Sequence, residues 1–287
     1  MSELFLREAH LLIHPKKGDS KLLKDFRISF QIEKTSESTP NPAKITVFNL
    51  SRENQALFEQ RDLSIILRVG FAGLSSPIIK TLFIGDVITS KTIKRGTEFM
   101  TEIEAGDAEK KIVKSYINKS FSGSRFKATG SITTRDMVKE LIKAMGLIPN
   151  TSKEKEINKK LEIVSQSKPE HGVTFSGPVK FFLDTLLEKE GLEWSIQNGE
   201  IQIIDPKEPR DRNTAIIISK ETGLLDVSEI DDRRISFKSL LNPEINPTST
   251  VEIKSEIMNI DGFYRVRHVE YSGDTHKGEW ILKGEAV

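Results

Sequence analysis

Three polar residues near the end of the chain have the chemistry of a metal site. His268, Asp274 and His276 flank a predicted turn, where two imidazoles and a carboxylate could converge on one ion. Histidines beside a turn are, however, more often solvated or hydrogen-bonded strand ends. None of the five histidines has the His-Glu-x-x-His spacing of a helical zinc site, and His10 and His14 give a still weaker signal. We therefore predict neither a metal nor a cofactor.

A second possible chemistry is glycoside hydrolysis, which needs two carboxylates on opposite sides of the scissile bond. Glu188, Glu190 and Glu193 lie around a predicted helix end, next to Trp194. A helix normally displays such charges to water. Trp194 and Trp280 fit anchors of a core or an interface better than platforms for a sugar.

The remaining catalytic motifs are missing from the sequence. It contains no Gly-x-Ser-x-Gly elbow, no phosphate-binding P-loop and no Gly-x-Gly-x-x-Gly fingerprint. Ser122 and Ser124 lie in a predicted loop with no base nearby in sequence, and the chain has no cysteine to serve as a nucleophile. We predict that the protein is not an enzyme and has no catalytic residue.

A basic stretch at residues 110–127 has the composition of a nucleic-acid contact, because its aromatic residues could stack on bases between phosphate-binding lysines. The simpler interpretation is an exposed connector between domains, and a third is a docking arm for a neighbouring protein. The residues concerned are Lys110, Lys111, Lys114, Lys119, Arg125 and Lys127, with Tyr116, Phe121 and Phe126 between them.

Composition narrows the class of protein. The chain has 287 residues, of which 30% are charged, and a formal net charge of +1, so no general affinity for polyanions is expected. The absence of cysteine fits assembly in a reducing cytoplasm. Apolar runs such as residues 63–67 are too short to span a bilayer, and the N-terminus lacks the basic start of a secretory signal. We expect a soluble chain without direct membrane insertion.

The elements that would position these residues are mostly short strands. Residues 26–33 alternate without exception, with Phe26, Ile28, Phe30 and Ile32 on one face. Five further apolar or alternating runs lie before residue 106, and Ser51 can cap one short helix. Strands with a single apolar face need a covering layer or closure, so we predict a closed antiparallel barrel over residues 1–109.

The end of the chain predicts another antiparallel sheet. Val251, Ile253 and Ile257 share one face of a half-buried strand, with charged residues on the other. Two more strands follow, separated by turns at residues 259–262 and 273–274. We predict a second barrel over residues 209–287.

Between these segments the pattern changes to a small α/β module at residues 110–208. Helices are predicted near residues 133–145, capped by Thr133 or Thr134, and near 178–190, where Pro178 suits a helix start. Asn198-Gly199 predicts a type I′ turn in a hairpin over residues 192–204. The predicted fold class is therefore α+β and mainly antiparallel β, with two tube-like barrels flanking an α/β insertion.

Both ends of the sequence resemble the baseplate hub proteins of contractile phage tails and related injection systems. The N-terminal resemblance rests on Asn41, Pro42, Ala43, Ile45, Val47, Asn49, Leu50, Val69, Gly70, Phe71, Phe83, Gly85, Asp86, Ala105 and Asp107. The C-terminal resemblance rests on Leu240, Leu241, Asn242, Pro243, Glu244, Ile245, Gly262, Tyr264, Val266, His268, Gly273, Asp274 and Trp280.

This resemblance implies a structural function. Such a hub forms a homotrimer in which two similar barrels per chain give pseudo-six-fold symmetry, so that one face meets a hexameric tail tube and the other a trimeric central spike. It implies a virion protein of the tail baseplate, assembled in the host cytoplasm, with the tape-measure protein as a further partner and without stable nucleic-acid binding. The alternatives are a tail-tip cell-wall hydrolase or a module that binds nucleic acid or an effector.

Overall fold

The structure is a computed structural model that describes residues 6–60, 62–72, 77–121, 132–147, 158–207, 213–231, 234–255 and 260–287. Its helices are α1 (Arg52–Leu57), α2 (Glu109–Val113), α3 (Thr134–Ala144) and α4 (Val179–Lys189), with a 3₁₀ turn at Leu161–Ile163. Its strands are β1 (Arg7–His14), β2 (Lys21–Leu23), β3 (Ile28–Thr35), β4 (Pro42–Phe48), β5 (Ser64–Ala72), β6 (Pro77–Arg95), β7 (Glu98–Gly106), β8 (Tyr116–Phe121), β9 (Val173–Pro178), β10 (Glu193–Gln197), β11 (Glu200–Ile204), β12 (Ile216–Ile218), β13 (Leu224–Asp231), β14 (Arg234–Leu240), β15 (Thr250–Ile253), β16 (Gly262–Asp274) and β17 (Trp280–Ala286). Within these ranges no helix has the length and apolar character needed to cross a membrane.

Local sequence chemistry accounts for several element boundaries. The hydroxyl of Ser51 accepts a hydrogen bond from the Asn54 backbone N–H, which confirms the predicted cap of α1. Thr133 caps α3 in a reciprocal capping box with Asp136. Asn198 and Gly199 both have positive φ, 53° and 79°, as a type I′ hairpin turn requires.

The described chain divides into two compact units. The first contains residues 1–36, 41–107 and 209–287, and the second contains residues 37–40 and 108–208. Each unit has its own hydrophobic core.

The first unit contains a 13-stranded, mainly antiparallel sheet. Its strands follow the order β13-β14-β17-β16-β3-β4-β7-β6-β5-β1-β2, and β15 joins the side of β16 with β12 parallel to it. Among the described strands this path has two ends, so the expected pair of closed barrels is not what the backbone pairing forms. The mainly antiparallel α+β class is confirmed, while the assignment of residues 1–109 and 209–287 to two related domains stays a prediction.

The two terminal segments meet where β3 pairs with β16. Seven residue pairs form this antiparallel seam, from His268 opposite Thr35 to Asp274 opposite Ser29. The alternation predicted for β3 is confirmed, because Ile28, Phe30 and Ile32 are buried there. The seam therefore joins both ends of the sequence over one continuous core.

Aromatic packing fills the core beside the seam. Trp280, only 1% exposed, lies edge-on to Phe30 and Phe71, with ring centroids 5.4 and 6.2 Å away. Gly273 passes directly beneath these rings, and a Cβ atom there would lie 2.4 Å from Phe30 Cζ and 2.8 Å from Trp280 Cε3. Only a residue without a side chain fits this approach of backbone to ring.

A buried lysine lies at the end of the seam. Lys34 is fully buried and its Nζ donates to Asn246 Oδ1 at 2.9 Å, 5.7 Å from the ring centre of Tyr271. The Tyr271 hydroxyl donates to the carbonyl oxygen of Ile245. Burial, opposed in part by the nearby carboxylate of Asp107, lowers the pKa of Lys34 to about 8. This network ties β3 of the N-terminal segment to the loop before β15 and to β16.

The second unit contains two packed helices and two pairs of strands. Helices α3 and α4 pack around Leu141 and Leu183, both fully buried, and the β10–β11 hairpin adds Trp194. Strands β8 and β9 pair antiparallel, with Phe121 and Phe175 stacked edge-on at 5.5 Å. The predicted helices and hairpin are therefore confirmed.

We expect Gly273→Ala to lower the free energy of unfolding by about 1–3 kcal/mol, because Phe30 and Trp280 would have to move out of close packing. Urea denaturation measures this difference. Ser272→Ala, on the opposite face of the same strand, is the matched control and should stay within about 0.5 kcal/mol of the unmodified chain. Equal stability of both variants would contradict the packing argument.

A second prediction concerns pH. The folded-state pKa of Lys34, about 8, lies below the ordinary value of 10.5, so the unfolded chain binds more protons between these values. The contribution of Lys34 to stability should therefore rise as the pH increases from 8 to 10. We expect the unfolding free energy of the unmodified chain, minus that of Lys34→Met, to rise over this range. The same difference for Lys44→Met, at an exposed position on β4, should stay flat.

Candidate functional site

The polar face of the seam forms a groove of about 690 Å³ across β4, β3, β16 and β17. It arises from the two-residue period of a strand, because burying Phe30 and Ile32 on one side turns Ser29 and Gln31 to the other. Its lining includes Arg27, Gln31, Lys44, Glu270, Asp274 and Lys283.

Charges of both signs alternate across this groove. Gln31 lies opposite Lys44, Glu270 lies opposite Lys283, and the Gln31 side-chain amide donates to Glu270 Oε1 at 2.7 Å. Opposite charges on neighbouring strands stabilise the pairing. Because the signs are interspersed, the groove lacks the concentrated positive field that would hold a polyanion.

An ion pair between the two terminal segments contributes to the lining of the groove. The Arg27 guanidinium binds the Asp274 carboxylate, with Nη2 3.0 Å from Oδ2 and Nε 3.3 Å from Oδ1, and lies over the Phe48 ring at 4.1 Å. Backbone N–H groups of His276 and Lys277 also donate to Asp274.

These contacts determine the charge state of the pair. Burial alone would raise the pKa of the Asp274 carboxyl, but the hydrogen bonds from Arg27 and from the two backbone N–H groups lower it below its usual range. The hydrogen bond to Asp274 raises the pKa of Arg27. Asp274 is thus ionised, and its carboxylate joins the β16–β17 turn to Arg27, just before β3.

The three residues considered for a metal site, His268, Asp274 and His276, do not converge on one point. His268 and Asp274 are six residues apart on β16, which places them about 20 Å apart. His268 Nε2 lies 2.9 Å from Glu33 Oε1, and His276 Nδ1 lies 3.1 Å from the Thr275 hydroxyl. Within the described part of the chain, no three His, Cys, Asp or Glu residues are grouped to hold an ion.

The carboxylates considered for hydrolysis lie at the C-terminal end of α4 and the start of β10. Glu188 is exposed, and Glu190 accepts a hydrogen bond from the Ser165 hydroxyl at 2.9 Å. Trp194 is buried and its Nε1 donates to Asp184 Oδ1 at 2.8 Å, so it cannot present a stacking face to a sugar. Trp280 is buried as well. Both tryptophans are core anchors, as their size predicted.

The basic stretch is part of the second unit rather than a plain connector. Residues 109–113 form α2, and residues 116–121 form β8, which pairs with β9. Lys119 forms an ion pair with Glu140 and lies over the Phe121 ring, which is buried, whereas Tyr116 is 70% exposed. The pairing of β8 with β9 and the burial of Phe121 therefore hold the described part of the basic stretch in the second unit. Ser122, Ser124, Arg125, Phe126 and Lys127 lie outside the described residues.

Sequence reasoning missed the two polar contacts that join the terminal segments. Lys34 had a detectable signal, since it continues the inward series of Ile28, Phe30 and Ile32 at the same two-residue spacing. Arg27 and Asp274 had none, because 247 positions separate them and only the strand order brings them together.

Comparisons with known proteins point to phage tails. The sequence profile of the family described as baseplate hub gp41 matches residues 11–286. Comparison with curated protein sequences finds no match.

Solved structures of similar fold include two tail proteins. The 43 kDa tail protein of prophage MuSo2 from Shewanella oneidensis has a TM-score of 0.63 and 10% identity, over 97% of this chain and 98% of that one. A tail protein from Neisseria meningitidis MC58 has a TM-score of 0.59 and 9% identity, over 97% and 96% of the two chains.

The fold is also similar to that of the E. coli c3393 protein, with a TM-score of 0.58 and 12% identity, over 96% of this chain and 76% of that one. That protein is described as a type VI secretion component with structural similarity to the T4 tail proteins gp27 and gp5. With the profile spanning nearly the whole sequence, from β1 to β17, the chain belongs to the baseplate hub gp41 family and is a structural protein of the phage tail baseplate.

Proposed function

We propose that the protein is the hub of a contractile tail, a homotrimeric ring that joins the hexameric tail tube to the trimeric central spike. The observation that carries this proposal is the family match over residues 11–286. The fold shared with tail proteins from two other sources, over nearly the full length of both chains, supports it.

The arrangement of the sheet supports the symmetry argument. The N-terminal segment supplies β1 to β7 and the C-terminal segment supplies β12 to β17, and the two sets meet side by side at β3 and β16. Three copies would then place six strand assemblies around one axis, and a ring built this way can meet a six-fold tube on one face and a three-fold spike on the other.

The mixed charge of the groove over the seam is compatible with a lumen through which DNA and a tape-measure protein would pass. A channel wall that concentrated positive charge would bind phosphates and slow the movement of DNA. The alternation of Lys44, Glu270 and Lys283 across the groove avoids such a field. A wall of this composition would stay hydrated without retaining its cargo.

The proposal also covers partners and place of action. The spike is the expected partner on one face, in keeping with the likeness of the type VI secretion component to T4 gp27 and gp5. Tail-tube or tube-initiator proteins are expected on the other. Assembly in the host cytoplasm suits a chain whose stability needs no disulfide.

The ring predicts a defined mass. We expect the purified chain, 32.4 kDa as a monomer, to sediment as a trimer at micromolar concentration, and single-particle images to show a ring with three-fold symmetry. A monomer or a two-fold dimer at all concentrations would contradict the proposal.

The structural assignment also predicts the result of an activity assay. We expect the trimer to release no soluble fragments from purified cell wall, because Trp194 is buried and Glu190 is engaged by Ser165. A hydrolase of known turnover provides the positive control. Lysis that disappears in Glu188→Gln or Glu193→Gln would establish the hydrolase alternative instead.

A further inference from the structure

The open sheet of the first unit ends in two strands that each have one neighbour among the described strands. Strand β13 pairs with β14, and β2 pairs with β1. The backbone N–H and C=O groups on the outer side of such strands are a template for pairing with another chain. The two ends of the sheet are therefore the natural places to look for assembly contacts.

One end is acidic. Strand β13, which we call the acidic edge (residues 224–231), contains three carboxylates and neither lysine nor arginine. Its side chains are exposed except for half-buried Leu224 and Val227, and they include Leu225 at 53% and Ile230 at 43% exposure. Acidic side chains therefore alternate with apolar ones that a partner could cover. The carboxylates belong to Asp226, Glu229 and Asp231, of which Asp231 forms an ion pair with Arg234 of the same chain.

The other end is basic. Residues 16–24, which include β2 and which we call the basic edge, contain four lysines and one aspartate. Every residue of this edge except Leu23 is exposed, including Leu22 at 48%. The lysines are Lys16, Lys17, Lys21 and Lys24, of which Lys16 and Lys21 lie within 4 Å of Asp62 and Glu53 of the same chain.

We propose that the acidic edge of one copy docks on the basic edge of the next copy, and that this contact, repeated around the axis, forms the ring. The inference rests on the trimer of the proposed function and names its interface. A cyclic trimer needs a contact between two different surfaces, since a self-complementary patch forms a two-fold dimer instead. Two unlike edges on one sheet meet that requirement.

The charges select this pairing over the alternatives. Two acidic edges repel each other and so do two basic edges, whereas an acidic edge attracts a basic one. The same charges therefore disfavour pairing between two copies of the same edge. Charged side chains on exposed edge strands are a common protection against aggregation. Added backbone hydrogen bonds, together with burial of Leu225, Ile230 and Leu22, would stabilise the docked state.

Cysteine cross-linking tests the contact directly, because the natural chain has no cysteine to interfere. Ser228→Cys places one thiol on the acidic edge and Leu22→Cys places one on the basic edge. We expect a mixture of the two single variants to form a disulfide between unlike chains, and the double variant to form covalent trimers on oxidation. Disulfides only between like chains would overturn the proposal.

Charge reversal provides an independent readout. We expect Asp226→Lys with Glu229→Lys, or Lys17→Glu with Lys21→Glu, to weaken the trimer about tenfold or more in dissociation constant while leaving the far-UV circular dichroism spectrum of the folded chain unchanged. Combining all four changes should restore the trimer, since the signs are then exchanged. Reversal of Glu188 and Lys189, an exposed pair on α4, is the matched control and should have no effect.

The outcomes separate this interface from the proposed function. If neither charge reversal changes the dissociation constant of the trimer and no disulfide forms between the two edges, the edge contact is wrong and the ring hub is unaffected. A chain that never forms trimers overturns both. Weakening by each reversal, rescue by their combination and cross-linking between unlike edges would together establish the interface.

Discussion

The backbone pairing of β3 with β16 is the constraint on which the first unit depends. It joins residues more than 230 positions apart, from Thr35 with His268 to Ser29 with Asp274. The entropy of closing a loop grows only slowly with its length, so inserting the second unit between the two segments adds little to that cost. Once the seam forms, both terminal segments share one core, and the removal of either would expose the inner face of the other.

The polar contacts beside the seam fix its register more than they add to stability. A one-residue slip would move every side chain of β3 to the opposite face of the sheet. It would leave Lys34 without Asn246 and separate Arg27 from Asp274. The slip would also place the charged side chain of Glu33, now exposed, on the core face. An unpaired buried charge costs several kcal/mol, so the slipped arrangement is excluded. Specific polar contacts of this kind favour one register, although a hydrophobic replacement could be as stable.

The sequence predicts the local elements of this protein far better than it predicts whether its strands form closed barrels. The cap at Ser51, the Asn198-Gly199 turn and the alternation of β3 follow from short-range chemistry, and all are present. The choice between two barrels and one open sheet depends instead on which distant strands become neighbours. Strand alternation is identical in both cases, so the pattern alone could not decide between them. The antiparallel pairing of β15 with β16 confirms a chain reversal between these strands, but Gly262 does not form the turn with a positive φ, because it is extended at the start of β16, where it pairs with Ile253.

An open sheet and a closed barrel differ most in whether edge strands remain whose backbone groups can pair with another chain. Closure removes every edge, so barrels can associate only through their faces or their loops. Among the described strands the sheet stays open at β13 and β2 and retains two backbone edges, and the charges of residues 224–231 and 16–24 make those edges unlike. Unlike edges lead to head-to-tail contacts, which end either in a closed ring or in a filament, according to the rotation between copies. In the proposed ring, the twist of the sheet would contribute to that rotation, because it sets the angle between the two edge strands of one chain.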